Sequence, residues 1–312
     1  METIPMTPLL EFPPNTLYKV RQAYGLEKPG EMAVAVKILD EWVQKQNHFL
    51  KKDFRDVYLE RMIIMCKGSI EKSKKQLDTL CTLKTLLPKF FARTNMKEEF
   101  KQLMEKSWVF ILPKMTEDLC RVFIFQLRTT TGFDAEVITQ CYCILVAEYL
   151  KIHDYSLGYF LVYDYRHISA TEIISKIDLN EVQQFVPILT DGYGTRLKAL
   201  VFLTDSKVIH GFVKIMKTIL SEKIGKRIQV FSDLESFYSI IPKELLPLEY
   251  GGQEKSVQLL HNNLLNVLSG EEHVQYLKEM QKAKTDESKR TVDKFNEQYM
   301  GMAGTFRSLH VD

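Results

Sequence analysis

The sequence lacks the features that mark a secreted or membrane-spanning protein. Its first residues carry neither a basic start nor a long apolar core, and no later run approaches about 18 uninterrupted apolar residues. There is no Asn-x-Ser/Thr glycosylation acceptor, and the five cysteines form an odd, scattered set. Together these absences predict a cytoplasmic protein whose thiols are reduced.

The chain also lacks a large net charge of either sign. The 312 residues include 42 Lys and Arg against 40 Asp and Glu, which leaves a formal charge of +2. No overall field therefore draws the protein onto nucleic acid, and any anion site must be local. With 45% hydrophobic residues, the chain can form one large domain and a smaller one.

The motifs of nucleotide-binding enzymes and hydrolases are absent or incomplete. Gly192 and Gly194 are followed by Leu197 where a dinucleotide fingerprint needs a third glycine, and they precede a predicted strand. Gly225-Lys226 lacks the upstream glycine and the following Ser or Thr of a phosphate-binding loop. There is no Gly-x-Ser-x-Gly, and the seven histidines lack metal-ligand spacing. We therefore expect no catalytic residue, no metal and no cofactor.

The first third of the chain predicts a leader and a helical bundle. Residues 1–30 contain five prolines, too many for one continuous element. Four segments between residues 31 and 106 have helical periodicity, and the first places Val36, Leu39 and Val43 on one face. Ser69 is the expected N-cap of a later one. The sequence therefore predicts a small helical bundle at residues 31–106.

The second half alternates predicted strands with predicted helices. The strands are apolar nearly throughout, as expected where both faces of a parallel sheet are covered. Such alternation implies a mainly parallel sheet with right-handed crossovers. We predict an α/β domain at 107–255, and a helical extension and tail at 256–312. The predicted strands are 120–128, 157–166, 197–205 and 227–232, and the helices between them are 133–151, 171–189 and 206–222.

Residues 227–252 are the most informative segment. They predict a short strand, a helix capped at Ser232-Asp233 that ends near Pro242, and a turn that ends at Pro247. The closing Leu-Glu-Tyr-Gly-Gly combines two glycines with an aromatic and a carboxylate that can pin the turn to a neighbouring layer. A structural corner is one interpretation. The whole succession, with IPKELLPLEYGG at its end, also resembles the C-terminal signature of the CRAL-TRIO lipid-binding family.

The resemblance extends to the helical bundle. Many members of the family carry there a run like Asp-x-x-Leu-Leu-Arg-Phe-Leu-Arg-Ala-Arg-Lys-Phe. Ile64 and Cys66 stand where the family often has basic residues, so packing is the expected role of this helix. The frame of the run is kept by Asp56, Leu59, Arg61 and Lys67. The resemblance implies a small helical domain followed by a mainly parallel lipid-binding sheet domain, similar to the tocopherol-transfer and retinaldehyde-binding branch.

Residues 206–222, which we call the gate helix, predict an amphipathic helix. The apolar residues fall on one broad arc, with Lys207, His210, Lys214 and Lys217 opposite. A solvated helix over a core would have this pattern, and so would a gate over an apolar cavity that also touches a bilayer. The family resemblance implies the gate, since the helix at this point covers the lipid pocket and swings outward at membranes.

Candidate pocket walls follow from the apolar pattern and the resemblance. Such walls suit a long, nearly apolar molecule whose few polar atoms meet tyrosine hydroxyls or water. The turn before the strand at 197–205 lacks the glutamate typical of the phosphatidylinositol-transferring branch, which disfavours an inositol head group inside. The candidate walls are Ile138, Tyr142, Tyr163, Ile177, Phe185, Ile188, Leu189, Leu200, Phe202, Val208, Phe212, Val213 and Met216.

Four basic residues flank the gate helix, and we call them the basic cluster. Considered one at a time, each of these residues is expected to be an ordinary charged residue on the surface. By resemblance they match the residues with which the tocopherol-transfer branch holds phosphoinositide head groups, through charge-assisted bonds to phosphates. The four are Arg196, Lys198, Lys223 and Arg227.

Three functions remain open from the sequence. The first is a carrier of a tocopherol-, retinoid- or isoprenoid-like lipid that associates transiently with membranes and shifts between open and closed gate populations. The second is a signalling or scaffold module that binds phosphoinositides or a protein partner. An enzyme is the weakest, because no nucleophile, base and oxyanion site can be assembled from these spacings.

Overall fold

A computed structural model describes residues 3–131 and 142–290 of the chain. These residues form a group of N-terminal helices followed by one five-stranded sheet with further helices on both of its faces. The predicted α/β class, a helical region followed by a mainly parallel sheet, is confirmed. Candidate residue Ile138 and the end of the tail lie outside the described residues.

The N-terminal helices pack around α3, which is buried along most of its length between α2, α4 and a helix of the second half. Ser69 caps α4 as predicted, because its hydroxyl accepts a hydrogen bond from the backbone N–H of Lys72. The helices are α1 (Thr16–Gln22), α2 (Glu31–Gln44), α3 (Asp56–Met65), α4 (Ile70–Leu86), α5 (Met96–Glu99) and α6 (Lys101–Lys106).

The five strands lie in the sheet in the order of the sequence. The first pair is antiparallel, and the next three pairs are parallel. A strand at the sheet edge, formed by SWVFI, was not among the predicted strands. The strands are β1 (Ser107–Ile111), β2 (Cys120–Leu127), β3 (Gly158–Asp164), β4 (Leu197–Leu203) and β5 (Ile228–Phe231).

The helices of the second half differ in detail from the predicted ones. The segment 171–189 is broken, because the carboxylate of Asp178 accepts from the backbone N–H of Asn180 and starts a new helix. A π-helical turn, Ile188–Gly192, follows that helix directly. The helices are α7 (Tyr142–His153), α8 (Ala170–Ile174), α9 (Leu179–Pro187), α10 (Val208–Ile219), α11 (Glu222–Gly225), α12 (Leu234–Phe237), α13 (Val257–Leu268) and α14 (Glu271–Met280).

The two faces of the sheet have different neighbours. Side chains such as Val122, Val162 and Val201 pack against the C-terminal segment, including Tyr250. The alternate side chains of the same strands point to the other face, toward α7, α9, α10 and the N-terminal helices. This second face carries the cavities described below.

The Leu-Glu-Tyr-Gly-Gly turn is a structural corner as well as a sequence signature. The phenol of Tyr250 donates a 2.5 Å hydrogen bond to Asp164, which ends β3. Glu249 accepts from the backbone N–H of Val257 and so fixes the start of α13. Gly251 has φ +74°, a backbone conformation that a larger residue would adopt with strain. The turn therefore pins the C-terminal helices to the sheet.

Candidate functional site

A cavity of about 130 Å³ lies between the sheet and the gate helix, and we call it the apolar cavity. Strands β3 and β4 form its floor, because their side chains alternate and every second one faces the cavity. The gate helix closes it from the opposite side, and side chains of α9 also line it. Eight of the predicted wall residues line it: Tyr163, Ile177, Phe185, Leu189, Leu200, Phe202, Phe212 and Met216.

Aromatic rings form the floor and part of the cover. Tyr163 and Phe202 stack with ring centroids 5.8 Å apart, and Phe212 of the gate helix meets Phe202 edge-on at 6.0 Å. Burial raises the pKa of Tyr163 well above its ordinary value, so the phenol stays neutral. The lining is therefore almost wholly apolar, which suits a ligand with few polar atoms.

Four other candidates are placed differently. Tyr142, Ile188 and Val213 are buried in the surrounding core and are not among the residues lining the apolar cavity. Val208 is 48% exposed, because it lies about a quarter turn away from the buried side of the gate helix. The broad apolar arc predicted from the sequence thus contains a buried side and an exposed side.

Several lining residues were missed by the sequence analysis. Leu161 and Tyr165 lie two positions on either side of Tyr163, so strand alternation could have found them. Leu220 follows Met216 by one helical turn, which is also a readable signal. The missed lining residues are Leu161, Tyr165, Val182, Val186, Thr190, Thr195, Leu197, Leu220 and Ile224.

The gate helix is shorter than predicted and strongly two-sided. It spans Val208–Ile219, and a separate short helix begins at Glu222. Its inner side buries Ile209, Phe212, Val213 and Met216. The outer side exposes lysines together with two large apolar residues, since Val208 and Ile215 are 48% and 47% exposed.

The residues of the basic cluster are arranged unequally. Arg227 donates a hydrogen bond to the carbonyl of Leu197. Burial of the Arg196 side chain lowers the pKa of Arg196, and the nearby charge of Arg227 acts in the same direction. Nζ of Lys198 lies 2.6 Å from a carboxylate oxygen of Asp118, an ion pair about half exposed. Arg196, Lys198 and Arg227 thus lie close to one another, while Lys223 is exposed on α11.

A smaller cavity of about 50 Å³, which we call the inner cavity, adjoins the apolar cavity. Leu161, Leu189 and Thr195 line both. Its wall differs from that of the apolar cavity because it includes two cationic side chains, Arg61 of α3 and Lys151 of α7. Arg61 was expected only to keep the frame of a family motif, and no local pattern indicated a cavity there.

No helix within residues 3–131 and 142–290 is long and apolar enough to cross a membrane. Over the same ranges, no three His, Cys, Asp or Glu side chains are grouped as metal ligands.

Comparison with known proteins gives matches over most of the chain. Alpha-tocopherol transfer protein-like of Mus musculus is 23% identical over 252 residues, which are 80% of this chain and 73% of that protein. Alpha-tocopherol transfer protein-like of Homo sapiens is 25% identical over 231 residues, covering 72% and 67%. Clavesin-2 of Mus musculus is 28% identical over 96 residues, covering 30% and 29%.

A solved structure and two family matches agree with the fold. The crystal structure of Sfh5 matches with a TM-score of 0.51 at 14% identity, covering 87% of this chain and 99% of that one, a likeness of fold alone. Residues 28–100 match the Pinta-like UBA domain, and residues 105–252 match the CRAL/TRIO domain. Residues 105–252 therefore form a CRAL/TRIO domain, and a domain of that family implies binding of a hydrophobic ligand.

Proposed function

We propose that this protein is a carrier that holds a tocopherol-, retinoid- or isoprenoid-like lipid in the apolar cavity and transfers it between membranes. The observation that carries the proposal is the apolar cavity itself, floored by Tyr163 and Phe202 and covered by Phe212 and Met216 of the gate helix. A largely apolar ligand gains from leaving water for such a lining, and it needs few specific polar contacts. Transfer requires no covalent chemistry.

The gate helix supports the membrane step of the proposal. Val208 and Ile215 are exposed apolar residues on its outer side, and Lys214 and Lys217 are exposed beside them. Apolar side chains flanked by lysines suit the boundary between lipid head groups and acyl chains. Opening at that boundary would let the ligand pass from the cavity to the bilayer without crossing water. We place the protein in the cytoplasm between such encounters.

The basic cluster supports a preference for anionic membranes. Arg196, Lys198 and Arg227 lie close together beside the strand that leads to the gate helix, and exposed Lys223 follows that helix. Phosphoinositide head groups would meet these cations through charge-assisted hydrogen bonds. The cluster would then hold the protein at the membrane while the gate helix opens.

Extraction of the purified protein with organic solvent, followed by mass spectrometry, tests the carrier function. A lipid present in near-equal amount to the protein is the expected result. Protein that yields no lipid, and that binds neither tocopherol nor retinoid nor isoprenoid added in vesicles, would refute the proposal. The same outcome would favour a scaffold module whose cavity is vestigial.

A further inference from the structure

The guanidinium of Arg61 lies in the wall of the inner cavity, and two of its donor atoms have no acceptor among the described residues. The residue is 1% exposed, and its Nε and Nη1 are buried without a hydrogen-bond partner. Its guanidinium lies 4.7 Å from the ring centroid of Tyr155, a contact that stabilises the cation but satisfies none of its N–H groups. Buried donors of a charged group that lack hydrogen bonds are costly, so these two donors point to an acceptor that the described residues do not supply.

Lys151 is a second buried cation on the same cavity. Its Nζ donates to the backbone carbonyl of Tyr193 at 3.3 Å and lies 5.7 Å from the ring centroid of Tyr58. Burial, together with the nearby charge of Arg61, lowers the pKa of Lys151 from 10.5 to about 7. Two basic side chains thus face one small space.

Each of the neighbouring carboxylates forms its ion pair with a cation other than Arg61 or Lys151. Glu60 lies 2.8 Å from Arg21, and Glu148 lies 2.6 Å from Lys84. Asp154 likewise lies 2.9 Å from Arg121. Across the described residues, neither Arg61 nor Lys151 forms an ion pair with a carboxylate. The inner cavity therefore has an excess of positive charge.

The inner cavity is placed where the end of a ligand in the apolar cavity would reach it. Leu161, Leu189 and Thr195 line both spaces, so the two adjoin along β3, the π-helical turn and the start of β4. Its volume of about 50 Å³ would hold only a few waters, since one water needs about 10–15 Å³. A carboxylate has that size, whereas an inositol phosphate is far larger.

We propose that the ligand of this protein is an apolar acid, whose carboxylate lies in the inner cavity against Arg61 and Lys151 while its chain fills the apolar cavity. This inference rests on the proposed carrier function and names the chemical class of the cargo. The carboxylate would accept from the free donors of Arg61, and it would favour the charged form of Lys151 by its opposite charge.

Binding of oleic acid and oleyl alcohol to the purified full-length protein at pH 7.4 tests this inference. The two probes have the same chain and differ only at the head group. Charge-assisted hydrogen bonds predict that oleic acid binds about 10- to 100-fold more tightly. Arg61→Met keeps most of the side-chain length without the charge, and it should bring the two affinities to within about twofold. Lys75→Met, at an exposed lysine of α4, is the matched control and should leave the preference intact.

The outcomes separate this inference from the carrier function. Equal affinities of the wild-type protein for the two probes would overturn the acidic head group and leave the carrier function standing. Binding of neither probe, nor of any other lipid, would overturn both. Because the wild-type comparison needs no variant, the test decides even if Arg61→Met fails to fold.

Discussion

Nζ of Lys84 lies 2.6 Å from Oε1 of Glu148, and both side chains are only 2% exposed. Lys84 is on α4 of the N-terminal helices, and Glu148 is on α7 beside the sheet. Tyr193 and Tyr276 also donate to Glu148, at 2.7 and 3.1 Å. This buried network joins the two halves of the chain, so we expect them to unfold together.

Removing Lys84 tests the energetic weight of that network. Lys84→Met leaves Glu148 buried without its cation, which should lower the free energy of unfolding by about 3–5 kcal/mol. Lys198→Met is the matched control, because the Lys198–Asp118 pair has the same 2.6 Å distance but is about half exposed. It should cost less than about 1 kcal/mol. Urea unfolding of both variants measures the difference, and equal losses would contradict the importance of burial.

A pair of substitutions on the gate helix tests the apolar cavity. Phe212→Asp puts a carboxylate into the lining and should abolish lipid binding, because burying that charge costs several kcal/mol. Ile215→Asp introduces the same carboxylate three residues later on the exposed side and should leave equilibrium binding unchanged. Lipid retained on each protein after gel filtration is the measurement. Similar retention by both variants would show that the ligand does not occupy this cavity.

The outer side of the same helix predicts a defect in transfer without a defect in binding. Ile215→Asp should slow delivery of a fluorescent lipid to acceptor vesicles, because an exposed carboxylate opposes insertion of the helix between lipid head groups. Gln258→Asp on α13 adds a carboxylate to another exposed surface and serves as the control. An unchanged rate for Ile215→Asp would exclude this surface from the membrane contact.

The exposed members of the basic cluster predict salt-dependent vesicle binding. Lys198→Ala combined with Lys223→Ala should weaken association with phosphoinositide-containing vesicles about 30-fold, since each lysine near such a surface contributes about 1 kcal/mol. Lys72→Ala with Lys75→Ala removes the same charge from exposed positions of α4. Vesicle co-sedimentation at two salt concentrations compares them. Equal loss in both double variants would mean that net charge, and not this cluster, sets the affinity.

Because His273 is buried, we expect the folded protein to lose stability in mild acid. Burial lowers the pKa of His273 from 6.5 to about 4, so the folded protein binds fewer protons than the unfolded chain between these values. The resulting contribution to the free energy of unfolding is fully present above pH 6.5 and is lost as the pH falls toward 4. The loss amounts to at most about 3 kcal/mol. His273→Asn should flatten that part of the profile of unfolding free energy against pH. An unaltered profile would contradict the burial of a neutral ring.

Local patterns in the sequence predicted most of the architecture. The apolar strands and the capping Ser69 and Asp233 required only nearest-neighbour chemistry and periodicity, and the structure has each of them. The edge strand β1 and the break at Asp178 were missed, because pairing with β2 and a new helix cap overrode weak local signals. The sequence therefore predicted the types of the helices and strands better than their lengths.

The sequence by itself determined an α/β chain with a helical N-terminal region, a two-sided gate helix and apolar strands around Tyr163 and Phe202, because these depend on spacing along the chain. Only the tertiary structure decided which apolar residues face the cavity, and it separated Phe212 from Val208 on one helix. It also brought Arg61 and Lys151, ninety residues apart, to one small space. Side chains from distant elements meet only through packing, and no local pattern records which of them will share a cavity.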